Sequence, residues 1–156
     1  MQRQEGPMRL QPLVAIGTAL LLSAGSILAD DAKDQEGLQG TWEVTAMFAN
    51  GKPEGADKIE GTTLVFKGNK ITLNASGGKV KRSFTFKLGS AKKPKAIDAL
   101  AQDGAAEGKT ILGIYEIKGD TFTWCMSREP DGKRPTELAP KEGDKAMILM
   151  AKRAKP

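Results

Sequence analysis

From Gly40 to Arg153 the chain consists of short runs that alternate apolar and polar side chains. Turn residues interrupt these runs at intervals of roughly eight to twelve positions, the spacing typical of small all-β domains. Alternation with period two places successive side chains on opposite faces of an extended strand, so the pattern argues against a helical bundle and predicts an antiparallel meander. Trp42, Val44, Ala46 and Phe48 fall on one face of the opening strand, with Glu43, Thr45 and Met47 on the other. Residues 49–61 read as a polar loop. Thr62 to Lys67 and Lys70 to Ala75 flank Gly68-Asn69, a pair that tolerates the positive φ a two-residue hairpin demands. In the next strand Val80, Phe84, Phe86 and Leu88 share a face with Arg82, opposite Lys81, Ser83, Thr85 and Lys87. After a loop over 89–95, Ala96 to Ala101 is a short apolar piece that reads as a strand, with a helical turn as the alternative. Ile111 to Ile117 and Thr121 to Ser127 bracket Lys118-Gly119-Asp120 as a second hairpin, with Phe122, Trp124 and Met126 on a common face. A turn over 128–133, a brief strand over 136–138 and an apolar strand over 146–153 complete the series.

Eight or nine such strands leave unpaired N–H and C=O groups along both edges of a sheet unless the sheet closes on itself. The expected fold is therefore all-β, a small antiparallel up-and-down barrel, with an interior either filled by side chains or roomy enough for one small ligand. A length of 156 residues allows one such domain, placed at 38–156, and one hydrophobic core.

Ahead of it, the largely apolar run from Leu10 to Ala29 follows Arg9 and reads as an export signal over 1–29. Its length would also span a bilayer, but Gly17, Gly25 and the small residues near Ala29 suit cleavage after Ala29 better. The expectation is an exported protein, periplasmic or extracellular, with no membrane span once the leader is removed. Asp30, Asp31, Asp34 and Glu36 then form a mobile acidic lead-in over 30–37. Cys125 is the one cysteine, so no intrachain disulfide forms, and it reads as a small buried hydrophobe.

The chain has no histidine. That removes the commonest general base, the commonest zinc ligand and every Ser-His or Cys-His nucleophile pair. Gly104 to Thr110 imitates a phosphate-binding loop, yet its first glycine stands one residue too close to Gly108-Lys109-Thr110, and a strand follows where a helix is needed. Asp98, Asp103, Glu107, Glu116, Asp120 and Glu137 could supply a carboxylate pair for hydrolysis, but no spacing selects one. The chain therefore reads as non-catalytic, with no metal and no cofactor, and a carboxylate-based hydrolase is the remote alternative.

Leu38-Gln39-Gly40-Thr41-Trp42 carries a Gly-x-Trp at the head of the first strand, which resembles the lipocalin signature, and Arg153 at the end of the last strand completes it. The resemblance implies that Gly40, Trp42 and Arg153 close one end of the barrel, the guanidinium lying over the indole. Further segments in order are Pro94-Lys95-Ala96-Ile97-Asp98, Gly113-Ile114-Tyr115-Glu116-Ile117, Gly119-Asp120-Thr121, Cys125 and Arg134-Pro135-Thr136-Glu137. Together they resemble an uncharacterised, exported lipocalin-like domain family best known from planctomycetes. Leu138 and Trp124 depart from that pattern, which more often has an aromatic at the first and an aliphatic residue at the second. The family implies a barrel and an export signal, and no established activity.

Lys79, Lys81, Arg82, Lys87, Lys92, Lys93 and Lys95 crowd one segment with no acid among them, while the whole chain is only +5. The segment offers a landing surface for an anionic envelope component, but nucleic acid is disfavoured because no aromatics interleave on its outward face. Strand parity aims Arg82 to the side of Phe84 and Phe86. An inward cation needs a carboxylate, a mouth position or a ligand's anionic group, and Asp98 and Glu116 are candidate partners. Arg134 and Glu137 form a polar cluster of their own with Asp98 and Glu116, or else a local Arg134–Glu137 turn pair. The function expected is binding of a small apolar or amphipathic ligand, or an envelope component, with Arg82, Phe84, Phe86, Tyr115, Phe122 and Trp124 around it. The alternative is a fully packed barrel serving as an interaction module for proteins or polyanions. Nothing in the residues sets an oligomeric state.

Overall fold

The computed structural model describes residues 24–139 and 141–155. The expected export signal lies outside the described residues as far as position 23. Nine strands follow one another along the chain: β1 (Gly40–Ala49), β2 (Lys52–Pro53), β3 (Thr63–Lys67), β4 (Lys70–Asn74), β5 (Val80–Gly89), β6 (Ala96–Ala101), β7 (Thr110–Lys118), β8 (Thr121–Ser127) and β9 (Ala146–Arg153). Each strand from β3 to β9 pairs antiparallel with its neighbours in sequence, β1 pairs with β3, and β9 returns to β1. Eight strands thus close an up-and-down barrel of lipocalin-like form, and β2 is an appendage on the end of β1. Closure pairs the edges that an open sheet would leave exposed. Gly68 (φ +61°) and Gly119 (φ +55°) turn the two hairpins at the expected places.

Two β-bulges correct the expected side-chain parity. The register of β1 against β9 slips between Val44 and Ala46. Beyond the slip Met47 packs into the barrel interior, while Phe48 joins a separate apolar cluster. A second slip, between Leu73 and Asn74, leaves Lys81 as the extra residue of β5 and turns Val80 out to 62% exposure, although alternation places it inward. One inserted residue inverts every side chain past it. Residues 136–138 are not a strand but part of the long β8–β9 connection. The polar loop over 49–61 holds β2 and a one-turn helix, α2 (Ala56–Ile59).

The acidic lead-in is also different: residues 30–37 belong to a helix, α1 (Ala24–Leu38), fastened to one end of the barrel. Asp31 accepts the backbone N–H of Ser90 at 2.7 Å and the Ser90 hydroxyl as well. Asp34 accepts the Tyr115 hydroxyl at 2.7 Å and pairs with Lys95 at 2.7 Å. Leu38 is fully buried, and its carbonyl accepts the Trp42 indole N–H at 2.8 Å. Gln39 grips the Gly68 turn from both sides, accepting its N–H at 2.7 Å and donating to its carbonyl at 3.0 Å. The Arg153 guanidinium lies 4.3 Å from the centroid of the Trp42 ring and donates to the carbonyls of Gln39 (3.0 Å) and Gly37 (2.6 Å). Gly40, at φ +108°, makes the bend between helix and strand that a side chain would strain. Gly40, Trp42 and Arg153 therefore close this end, with α1 as an added plug.

Above the plug the interior is packed with rings. Phe66 meets Phe86 and Phe122 edge-on at 5.6 and 5.4 Å, and Trp42 lies 5.8 Å from Phe122. Such tilted and edge-on pairs add about 0.5–1.5 kcal/mol each beyond the area they bury.

Candidate functional site

Toward the other end the interior changes character. The rings give way to a hollow of about 460 Å³, lined by Met47, Leu64, Leu73, Phe84, Trp124, Met126, Met147 and Leu149, with Lys81 and Arg82 at its rim. Phe84 and Trp124 meet edge-on at 5.9 Å and are both buried. Met126 and Met147 are cross-strand partners, and Met47 pairs with Leu149 one step further along β9. Three flexible thioethers thus line one wall, a surface that can re-pack around different apolar shapes. Arg82 and Phe84 stand two residues apart on β5, which is about 7 Å of strand. Phe84 and Trp124 thus bring rings to the hollow, and Lys81 and Arg82 bring cations to it.

Gly113 makes room for one of those rings. A Cβ there would fall 2.6 Å from the Trp124 Nε1, so the missing side chain is the space the indole occupies. The Trp124 N–H is buried with no acceptor among the described residues.

Six residues were expected around a ligand, and the structure divides them. Arg82, Phe84 and Trp124 border the hollow. Phe86, Tyr115 and Phe122 belong to the packed half, where Tyr115 is held by Asp34. Burial, and after it the hydrogen bond to Asp34, push the Tyr115 hydroxyl well above the ordinary phenol range. Sequence reasoning missed Met47, Leu64, Leu73, Met126, Met147 and Leu149 as lining residues. Met126 and Leu64 were readable from parity, whereas Met47 was hidden by the bulge before it.

The expected polar cluster separates likewise. Arg134 reaches Asp98 at 2.6 Å and donates to the Gly113 carbonyl at 2.7 Å, so it pairs across the sheet and not with Glu137. Glu116 pairs with Lys118 at 3.1 Å, and neither Asp98 nor Glu116 serves Arg82. Arg134 pins the 128–145 connection to the outside of β6 and β7. Under that connection Ile114, Cys125, Ala146 and Ile148 form a second small core with Leu138, Phe48 and Met150 packed on it. Cys125 is fully buried there, and burial first, Asp144 second, push its thiol up to about 11.

A larger hollow of about 650 Å³ lies within the 127–146 segment, but its walls are polar, and Glu129 pairs with Lys145 at 2.6 Å and Arg134 with Asp98 there. The Gly104 to Thr110 segment joins β6 to β7 as a strand-to-strand link. The cations of Lys79 to Lys95 do not share one face: Lys79, Lys81 and Arg82 stand at the start of β5 and Lys92, Lys93 and Lys95 beyond its end, about 30 Å of strand apart. Among the described residues no three Cys, Asp or Glu side chains gather as a metal site, and no helix is long and apolar enough to cross a membrane. No family model, curated protein or solved structure matches the chain.

Proposed function

We propose that this protein is a non-catalytic binding barrel that takes the apolar part of a small amphipathic molecule into the open-end hollow. The observation that carries this reading is the division of the interior. One half is plugged and filled with rings, while the other keeps an apolar space within the ~300–1,000 Å³ range of small-molecule sites. A chain selected for packing alone gains by filling such a space, since each missing methylene costs about 1 kcal/mol. With Leu10 to Ala29 acting as an export signal, binding takes place outside the cytoplasm, where an envelope component or a scavenged small molecule is the occupant. A polyanion-binding face has less support, because the cations that suggested it divide between the two ends of β5.

The test is titration with phenylnaphthylamine, a neutral two-ring fluorophore, read by its own emission and by quenching of tryptophan. The expected result is saturable one-to-one binding that Leu64→Trp, which fills the hollow from β3, abolishes while the barrel still melts cooperatively. Failure of the wild-type protein to bind it would remove the carrier reading.

A further inference from the structure

The geometry points to an anionic amphiphile as the occupant: a compact, ring-sized apolar body bearing one carboxylate, sulfonate or phosphate group that Arg82 receives at the rim. This rests on the reading of the hollow as a binding site and adds the identity of the polar end.

Arg82 lies on the inward-facing side of β5, in register with Leu73 and two residues from Phe84. Its guanidinium donates to the neighbouring Lys81 carbonyl at 2.9 Å and rests against the Gly104 backbone, where a Cβ would come within 3.0 Å of its Cζ. It is therefore oriented, yet no carboxylate among the described residues pairs with it. Asp103, next to Gly104 in sequence, gives Oδ2 to the backbone N–H and the hydroxyl of Ser83 at 2.8 and 2.6 Å, and its Oδ1 is buried without a hydrogen-bond partner and makes no ion pair with Arg82. Elsewhere in the barrel the structural arginines are matched: Arg134 holds Asp98, and Arg153 holds two carbonyls and the Trp42 ring. Arg82 alone of these three makes no ion pair, and its exposed side chain borders an apolar hollow, with Lys81 beside it adding a second positive charge. A planar guanidinium with unused N–H groups is a receptor for a bidentate oxyanion.

The shape of the hollow sets the other half of the specificity. A hollow of about 460 Å³ walled by two rings and three thioethers suits a compact apolar body, and edge-on aromatic contacts with Phe84 and Trp124 reward a flat ring.

Phenylnaphthylamine and its sulfonate, anilinonaphthalenesulfonate, share one hydrocarbon skeleton and differ in the anion, so the pair isolates the head group. Wild-type protein is expected to bind the sulfonate about tenfold or more tighter than the neutral probe at low salt, the gain of a charge-assisted hydrogen bond. Arg82→Met should erase that advantage and keep neutral binding, Arg82→Lys should keep part of it, and Lys87→Met, which removes an equal charge from the outer face, should keep it whole. Equal binding of the two probes by the wild-type protein, or an advantage that survives Arg82→Met, overturns the assignment of Arg82 while leaving the hollow as a site. Binding of neither probe overturns the site itself and this inference with it. Should Arg82→Met fold poorly, the salt dependence of the sulfonate advantage in wild type decides, because an advantage indifferent to salt excludes the ion pair at this exposed rim.

Discussion

A methyl group added at Gly113 is the sharpest probe of how the hollow is built. Placed ideally, it lies 2.6 Å from Trp124 Nε1, 2.8 Å from the Cys125 carbonyl oxygen and 3.2 Å from Trp124 Cδ1. The carbonyl belongs to the β7–β8 ladder, so the methyl displaces strand backbone as well as the indole, and the space beside the indole is the hollow. Gly113 has no positive φ, which makes the penalty one of contact and not of backbone strain. Overpacking of this kind costs about 1–3 kcal/mol, offset by about 0.4–1 kcal/mol from the reduced freedom of the unfolded chain. The net loss for Gly113→Ala is then about 0–2.6 kcal/mol, centred on about 1.3 kcal/mol, which is a fall in Tm of about 5 °C for a domain of this size. Because the indole moves toward the hollow, the neutral probe should bind more weakly and the tryptophan emission maximum should shift. Gly37 serves as the control, since nothing lies within 4 Å of a Cβ there and its φ is ordinary, so Gly37→Ala should leave Tm unchanged or raise it. Thermal melts by circular dichroism with parallel fluorescence titrations measure both effects. If Gly113→Ala melts with the wild type and binds the probe unchanged, the indole does not rest on the glycine as described.

Three further outcomes follow from the same geometry. Arg153→Met leaves the Gly37 and Gln39 carbonyls without their donor and uncovers Trp42, a loss of about 1–3 kcal/mol in urea unfolding, and Arg153→Lys recovers little because an ammonium cannot meet two carbonyls and a ring at once. Arg134→Met frees the 128–145 connection, so limited proteolysis should cut there several-fold faster while the melting of the barrel barely changes. Folding raises the Cys125 thiol from 9.0 to about 11, so the unfolded chain ionises first; the stability held by the neutral thiol is complete below pH 9 and lost as pH climbs toward 11. Denaturation curves across that interval should fall less steeply for Cys125→Ala than for wild type, and identical slopes would contradict the burial of the thiol.

The barrel was legible in the sequence because period-two alternation and Gly-centred turns are local, and each strand from β3 to β9 announces itself within its own few residues. The bulges were not, since a single inserted residue at Thr45 or Lys81 leaves no compositional mark and is specified by how β1 fits β9 and β4 fits β5. α1 was missed for a related reason. Its residues carry no strong apolar stripe, and its place is fixed by Asp31 on Ser90 and Asp34 on Tyr115, contacts between distant parts of the chain. Of the expected residues, Arg82, Phe84 and Trp124, placed by the parity of β5 and β8, border the hollow. Phe86 and Phe122 share that parity, and Tyr115 faces inward from β7, but all three lie at the plugged end, and alternation alone cannot tell depth along a strand. The Arg134–Asp98 pair joins residues on separate elements, so only the closed sheet brings them together.

The ring-filled, helix-stoppered half and the methionine-walled half share side chains. Met47 and Leu73 line the hollow with Met147 and also pack against the core cluster that holds Trp42, Phe66 and Leu38, so their side chains shape the hollow and brace the core together. Reshaping the hollow at Met47 or Leu73 therefore has to be balanced against core packing, and Met147 is the freer starting point.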